Sequence, residues 1–267
     1  MFNKVKTGLL NLGLKFISVD EKLVYMILET GSRSLEKITI LPVTKEAMQK
    51  FVTRMGNTHR QHGLVHNGTI NGVKVSAIRC QMGAPYAAIV MEVLHRASVE
   101  KVIRCDYAGS ISDEIAVGDV IVPSIALGAD GTTPFYVGPD VPTEEPSSFG
   151  ASSGMIAALA DAAGKKGYKT HQCTVLSMDG LFRETPERVA KWQAAGAQAI
   201  DMETAAIYCV GNLYGMQCGA VLAISDKPGS EYDLFISNKM HDGLFKSLDE
   251  AVDTVVTALP AINKKAN

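Results

Sequence analysis

The stretch AQAIDMETAAIYCVG, Ala197 to Gly211, sets two carboxylates, Asp201 and Glu203, on either side of Met202 within an otherwise apolar run. A polar tip of this kind belongs where a strand ends and a helix begins. Two readings of it stay open. Asp201 as an N-cap, with acidic charge near the positive end of the following helix, accounts for both carboxylates. Alternatively, Glu203 accepts hydrogen bonds from the paired hydroxyls of a sugar while Met202 lies against the ring, a task for which the two oxygens of a carboxylate are suited.

Three further segments carry residues able to do chemistry. AISDKP ends an apolar run with Ser225, Asp226 and Lys227. Ser, Asp and Pro all form turns, yet an aspartic acid in that place could also give a proton to a leaving group as a general acid. VIRCDYAGS puts Arg104 at the end of an apolar strand. A buried arginine needs a partner, either an acid such as Asp106 or a bound anion, for which phosphate suits a guanidinium fork. CQMGAPYAA, Cys80 to Ala88, reads as strand, small-residue turn and helix start, a place where helix N–H groups could hold a phosphate or a sugar. Phe182 and Tyr136 could stack on a base or belong to the core.

These residues need elements to place them. Apolar runs at Lys37 to Pro42, Val73 to Cys80, Glu100 to Asp106, Gly118 to Leu127, Thr170 to Met178 and Cys218 to Asp226 read as strands. Between them, Pro85 to Arg96, Gly150 to Gly164, Pro186 to Ala195, Met202 to Leu213 and Met240 to Leu259 carry apolar residues at helical spacing. The alternation predicts an α/β fold of three layers, a mostly parallel central sheet covered by helices on both faces. In such sheets the active site lies outside the carboxyl ends of the strands. Attention therefore falls on RCDYAGS, SMDGLFRETPE, IDMET and ISDKPGSEYD, each read as following a strand. Gly128 to Gly150, rich in Gly, Pro, Ser and Thr, is expected to be a long loop.

The 267 residues, with no visible linker or repeat, are read as a single domain in which residues 1–22 form an N-terminal extension or surface helix. Hydrophobic residues make up 46% and charged residues 20%, enough for a large core. A net charge of -2 and the lack of an aromatic and basic stripe speak against nucleic acid as a partner. No run approaches the ~18 apolar residues that a membrane crossing needs. Five cysteines without a CxxC pair suggest neither a disulfide framework nor a zinc site, and a reducing cytoplasm fits them best. His59, His62 and His66 lack the spacing of metal ligands and are read as surface residues, so no metal is expected. No G-x-S-x-G elbow marks a serine nucleophile.

Taken together, the order of motifs resembles the family I nucleoside phosphorylases, which include purine nucleoside phosphorylases, uridine phosphorylases and related nucleosidases. IDMETAAIY is similar to the family segment V-E-M-E-A-A-x-x-Y, GDVIVPSIALGADGTTPFY to a G-D-V stretch leading into an E-G-T-S loop, and SMDGLFRETPE to an S-S-D-x-F-Y segment near the base. The resemblance spans roughly Lys37 to Leu259. It implies cleavage of the N-glycosidic bond of a nucleoside by phosphorolysis to free base and ribose 1-phosphate. Glu203 would hold the ribose hydroxyls with Met202 on the sugar, and Asp226 would protonate a purine base with Phe182 nearby. Arg104 and Arg60 would bind phosphate, Arg60 from a neighbouring subunit. Met26 would stand in the place of the family histidine at the sugar 5′ position.

The phosphate motifs depart from the family. L-P-G-D-P-x-R stands as LPVTKEA, with Val43 for the glycine and Ala47 for the arginine, and R-I-G-T-x-G stands as Arg104 to Gly109, with Tyr107 for the threonine and Asp106 adding negative charge. Hydrolysis, as in AMP nucleosidases, and a nucleoside-binding protein without catalysis therefore stand as alternatives. The family also implies a cytoplasmic homo-oligomer, a dimer or a hexamer built as a trimer of dimers, with phosphate as co-substrate and no cofactor.

Overall fold

Long apolar strands buried on both faces need helices over each face, and the computed structural model, which describes residues 17–60, 64–138 and 146–264 but not the side chains of His59 and Arg60, has that arrangement. In chain order the elements are α1 (Val19–Leu28), β1 (Ile38–Leu41), α2 (Lys45–Arg54), β2 (Gly56–Arg60), β3 (Val65–Ile70), β4 (Val73–Ile78), α3 (Ala84–Arg96), β5 (Lys101–Ser110) and β6 (Val120–Ala129). They continue with α4 (Pro134–Val137), β7 (Ser147–Gly150), α5 (Ser153–Lys166), β8 (Thr170–Met178), α6 (Pro186–Ala194), β9 (Ala199–Asp201), α7 (Thr204–Tyr214), β10 (Gln217–Asp226) and α8 (Leu244–Ile262).

The ten strands among the described residues join one sheet, whose path runs β10-β6-β8-β9-β5-β1-β4-β3-β2, with β7 on the edge of β6. Because β10 also pairs with β5, the strands β5, β10, β6, β8 and β9 close into a ring. The expected helix-covered central sheet is present, and its pairing is mixed. Parallel contacts link β4, β1, β5 and β10, and likewise β6, β8 and β9. Antiparallel ones close the ring at β10–β6 and β5–β9 and add β3 and β2. One core layer packs α1, α3 and α7 on the sheet, and the other packs α2, α5 and α8. A smaller cluster lies under α6, where Val189 and Trp192 meet Leu176 and Ile200.

Several boundaries differ from the expectation for identifiable reasons. The strand expected to end at Asp106 runs on to Ser110, because β10 pairs with it as far as Gly109 and β9 takes over at Gly109 and Ser110. Asp106 and Tyr107 thus lie inside β5 and not after it. Residues 56–60 and 65–70, around the histidines, form a hairpin and not a loop; His66 is half-buried on β3, and His62 lies outside the described residues. Within the expected loop at Gly128 to Gly150, β6 continues to Ala129, α4 forms a short helix, and Ser147 to Gly150 pair antiparallel with β6. Gly150 therefore ends a strand, and the helix expected there starts at Ser153. Lys4, Lys6 and Lys15 of the expected extension lie outside the described residues, whereas α1 starts inside residues 1–22, capped by Ser18, and buries Val24 and Leu28.

The helix α2, not expected from the sequence, starts where Thr44 accepts the N–H of Ala47 at 3.2 Å. It buries Ala47, Met48 and Phe51. Gly211 on α7 faces Cys218 on β10 so closely that a Cβ would collide with the sulfur. Alanine improves helix propensity by about 1 kcal/mol over glycine, but overpacking a tight core costs about 1–3 kcal/mol. Gly211→Ala is therefore expected to lower stability in urea unfolding; an unchanged or raised midpoint would contradict the close packing of α7 on β10.

Candidate active site

At the carboxyl ends of β5, β8, β9 and β10 a cavity of ≈ 370 Å³ opens, lined by Arg104, Met202, Glu203 and Asp226 among others. A volume of this order suits a small ligand such as a nucleoside. A larger recess of ≈ 780 Å³ beside Asp130 and Trp192 holds none of these four side chains.

Arg104, 2% exposed, comes from the middle of β5 and points its guanidinium between two carboxylates. Its Nη2 lies 3.2 Å from Asp201 and in direct contact with Glu203. The acid foreseen as its partner, Asp106, is engaged elsewhere. Burial alone would pull the Arg104 pKa down, but Asp201, Glu203 and Asp106 hold it above its ordinary value, so the group stays charged. Asp201 closes β9 and also accepts the Ser177 hydroxyl at 2.5 Å and the Thr204 N–H at 3.1 Å. It therefore caps α7 through Thr204, although Glu203 stands at the N-cap position. Glu203 makes no cap bond there. One of its oxygens takes the Gly83 N–H at 2.8 Å and the other meets Arg104. Burial pushes the Glu203 carboxyl up and the guanidinium pulls it back.

The CQMGAPYAA turn thus spends an N–H on Glu203 and not on a phosphate or sugar. Gly83, at φ 107°, adopts a backbone that favours glycine and starts α3 there, with Pro85 in the first turn.

Asp226 owes its position to an irregularity. Ile224 of β10 pairs with Ala108 and Asp226 with Gly109, so Ser225 is the extra residue of a bulge. Bulges re-aim the neighbouring side chain, and here the Asp226 carboxyl faces Gly109, where a Cβ would lie 3.4 Å from its oxygen and 3.1 Å from Ile200. Asp226 is buried. Burial and nearby Asp233 push its pKa up, while the Ser225 hydroxyl, 2.5 Å away, pulls it down; the net shift is upward. A carboxyl that holds its proton longer than usual is suited to general acid work. Lys227 is turned away, its ammonium on Ser112 and Asp113.

Among the remaining residues expected at a site, Tyr107 lines the cavity and donates its hydroxyl to Glu46 at 3.1 Å. Phe182 does not reach it. That ring is 78% exposed and packs edge-on against Phe235, centroids 5.0 Å apart, and Phe235 lines the cavity together with Tyr107 and Phe245. Tyr136 packs against the core. Met26 is exposed on α1 and is not brought to this cavity within one chain. The side chain of Arg60 lies outside the described residues. Among the described residues no cluster of His, Cys, Asp or Glu could hold a metal, and no helix is long and apolar enough to cross a membrane.

Sequence reasoning missed Glu184. It follows β8 in SMDGLFRETPE, a segment marked for its position, where an acid among Arg183, Thr185 and Pro186 reads as solvated turn. In the fold it lines the cavity, and burial together with Asp226 and Asp233 pushes its pKa to about 8.

Comparison with known proteins bears on this arrangement. The family model described as "Phosphorylase superfamily" matches residues 37–256. A guanosine phosphorylase of Halorubrum lacusprofundi is 26% identical over 75% of this chain and 83% of its own. A DeoD-type purine nucleoside phosphorylase of Bacillus cereus is 30% identical over 68% of this chain and 74% of its own. The crystal structure of an AMP nucleosidase from Bacteroides thetaiotaomicron shares the fold, with a TM-score of 0.70 and 24% identity over 92% of this chain and 97% of its own.

An acid whose pKa is raised by folding stabilises the fold below its unfolded pKa, and that contribution is lost as pH rises through the folded value. For Glu184 the window lies between its ordinary 4.5 and about 8. Glu184→Gln is expected to match the wild type in thermal unfolding near pH ~5 and to exceed it at pH ~9. A gap independent of pH would show that Glu184 ionises as it does in water.

Proposed function

We propose that this chain, which belongs to the phosphorylase superfamily, cleaves the N-glycosidic bond of a neutral purine nucleoside. The observation that carries this reading is the convergence on one cavity of Asp226, with its raised pKa, and the Met202–Glu203 pair. A purine leaves more readily once N7 is protonated, and Asp226 is the group placed to supply that proton. Glu203, anchored by Gly83 and Arg104, would take the ribose hydroxyls, with Met202 against the sugar. As the C1′–N9 bond breaks, positive charge spreads over the ribose, and fixed carboxylates stabilise it without reorganising.

The relatives named guanosine phosphorylase and purine nucleoside phosphorylase favour a purine substrate. The lining favours a nucleoside over a nucleotide. Among the described residues Arg104 is the one cation facing the cavity, and Asp201 and Glu203 already hold it. A 5′-phosphate would find apolar groups such as Met82, Leu234 and Phe245 instead. The names of those relatives make phosphate the attacking group in them.

Homo-oligomer formation belongs to the same reading, with Met26 and Arg60 serving a neighbouring subunit's cavity. A monomer in sedimentation at assay concentration would remove both residues from the site.

Asp226→Asn is expected to lower kcat on inosine or guanosine by roughly 10²–10⁴-fold. A 7-methylated purine nucleoside, whose base already carries the charge, should be cleaved nearly as well by the variant as by the wild type. Equal losses on both substrates would refute the role of Asp226 as acid. Glu203→Gln, which keeps the shape, should cost on the order of 10²-fold in turnover, and near-normal turnover would remove Glu203 from the ribose.

A further inference from the structure

We infer that the nucleophile in this pocket is water and that the carboxylate of Asp106 occupies the place a phosphate would need; this rests on reading the cavity as a glycosidic-bond site. The turn before α2 presents the backbone N–H groups of Val43 and Thr44 at a helix N-terminus, an arrangement that attracts anions. Both amides already donate to one oxygen of Asp106, at 2.6 and 2.8 Å, and the Thr44 hydroxyl lies 3.2 Å from the same atom. The other oxygen takes the N–H of Tyr107 at 3.0 Å. Asp106 is 3% exposed. A phosphate from solution would have to displace an anion tethered beside its donors, and tethering gives that anion a high effective concentration.

The guanidinium offers no second site. Nη2 of Arg104 faces Asp201 and Glu203, while Nε and Nη1 are buried and have no partner among the described residues. Nε and Nη1 reach no solvent, so a phosphate could take that edge of the fork only after protein groups moved aside. Around it the cavity is lined by the carboxyl groups of Glu46, Asp106, Asp201 and Glu203, with Arg104 the one cation among the described residues, while Glu184 and Asp226 hold their protons longer than usual. Such a field repels a dianion, whereas it tolerates neutral water and favours a ribosyl group that becomes positive.

The step balances without another reactant. Asp226 gives its proton to N7, and the electron pair of the C1′–N9 bond leaves with the base. The oxygen of water bonds to C1′, and its surplus proton passes to a carboxylate of the cavity and, through solvent, restores Asp226. The products are free base and ribose. Asp106 is here a positioning residue, acting through the amides of the 43–44 turn.

The test follows inosine, guanosine and adenosine with the wild-type protein in buffer with and without inorganic phosphate, resolving base, ribose and ribose 1-phosphate. Base and free ribose at rates that differ by less than about twofold between the two conditions are the expected result. Base released only with phosphate, together with ribose 1-phosphate, overturns the inference and leaves the proposed function standing. No base from any nucleoside under either condition removes both. Asp106→Thr, which vacates the turn amides and removes a charge, is expected to gain phosphate-dependent turnover and to form ribose 1-phosphate; should it not fold, Asp106→Asn, which removes only the charge, takes its place. A folded variant as indifferent to phosphate as the wild type overturns the part assigned to Asp106.

Discussion

A guanidinium taken out of water must be compensated on the spot, and the compensation of Arg104 fixes most of the cavity. Its two acids come from the end of β9 and the start of α7, 97 and 99 residues further along the chain. Removing one partner from a buried ion pair leaves a charge that costs about 3–5 kcal/mol. The three segments are therefore held in one relative position. Asp201 extends the tie to β8 through Ser177, and Glu203 extends it to α3 through Gly83. Glu203 in consequence reaches the cavity as part of a rigid frame, which is what a group that must orient a sugar requires.

The acid at the end of β10 obeys a different constraint. Among the described residues Asp226 has no cation beside it, since Lys227 is drawn off to Asp113, and Asp233 adds negative charge nearby. Desolvation and like charge both disfavour ionisation. Burial raises both carboxyl groups, and the guanidinium offsets that rise at Glu203, whereas Asp226 has the Ser225 hydroxyl to offset it. The two carboxyl groups thus sit in separate environments, the arrangement by which acids of one site can be given separate tasks. The bulge at Ser225 and the absence of a side chain at Gly109 are what bring the acid to that place.

Elements with a strong pattern were legible in the chain. Thr170 to Met178, Cys218 to Asp226 and Pro186 to Ala195 emerge as β8, β10 and α6 within a residue of their expected ends. The strands β2 and β7 were not, because GNTHR and SSFG carry too few apolar residues for a period and are set by the partner they pair with. The same holds for the continuation of β5 past Asp106, which depends on β10 and β9 flanking it. The family was legible too, in IDMETAAIY and the motifs around it, and the family model matches residues 37–256.

By itself, then, the sequence determined the class of fold, the segments that end at the cavity and the residues Glu203, Met202 and Asp226 on its wall. Tertiary structure alone decided which charges meet. Arg104 pairs with Asp201 and Glu203 and not with the near neighbour Asp106, Asp106 turns instead to amides 62 and 63 residues away, and Phe182 gives its place to Phe235. Neighbouring residues on a strand point to opposite faces, so Arg104 and Asp106, two apart, share a side of β5 yet reach different partners across the sheet. Electrostatic pairing depends on distance and burial, and both arise only once the strands have closed into their ring.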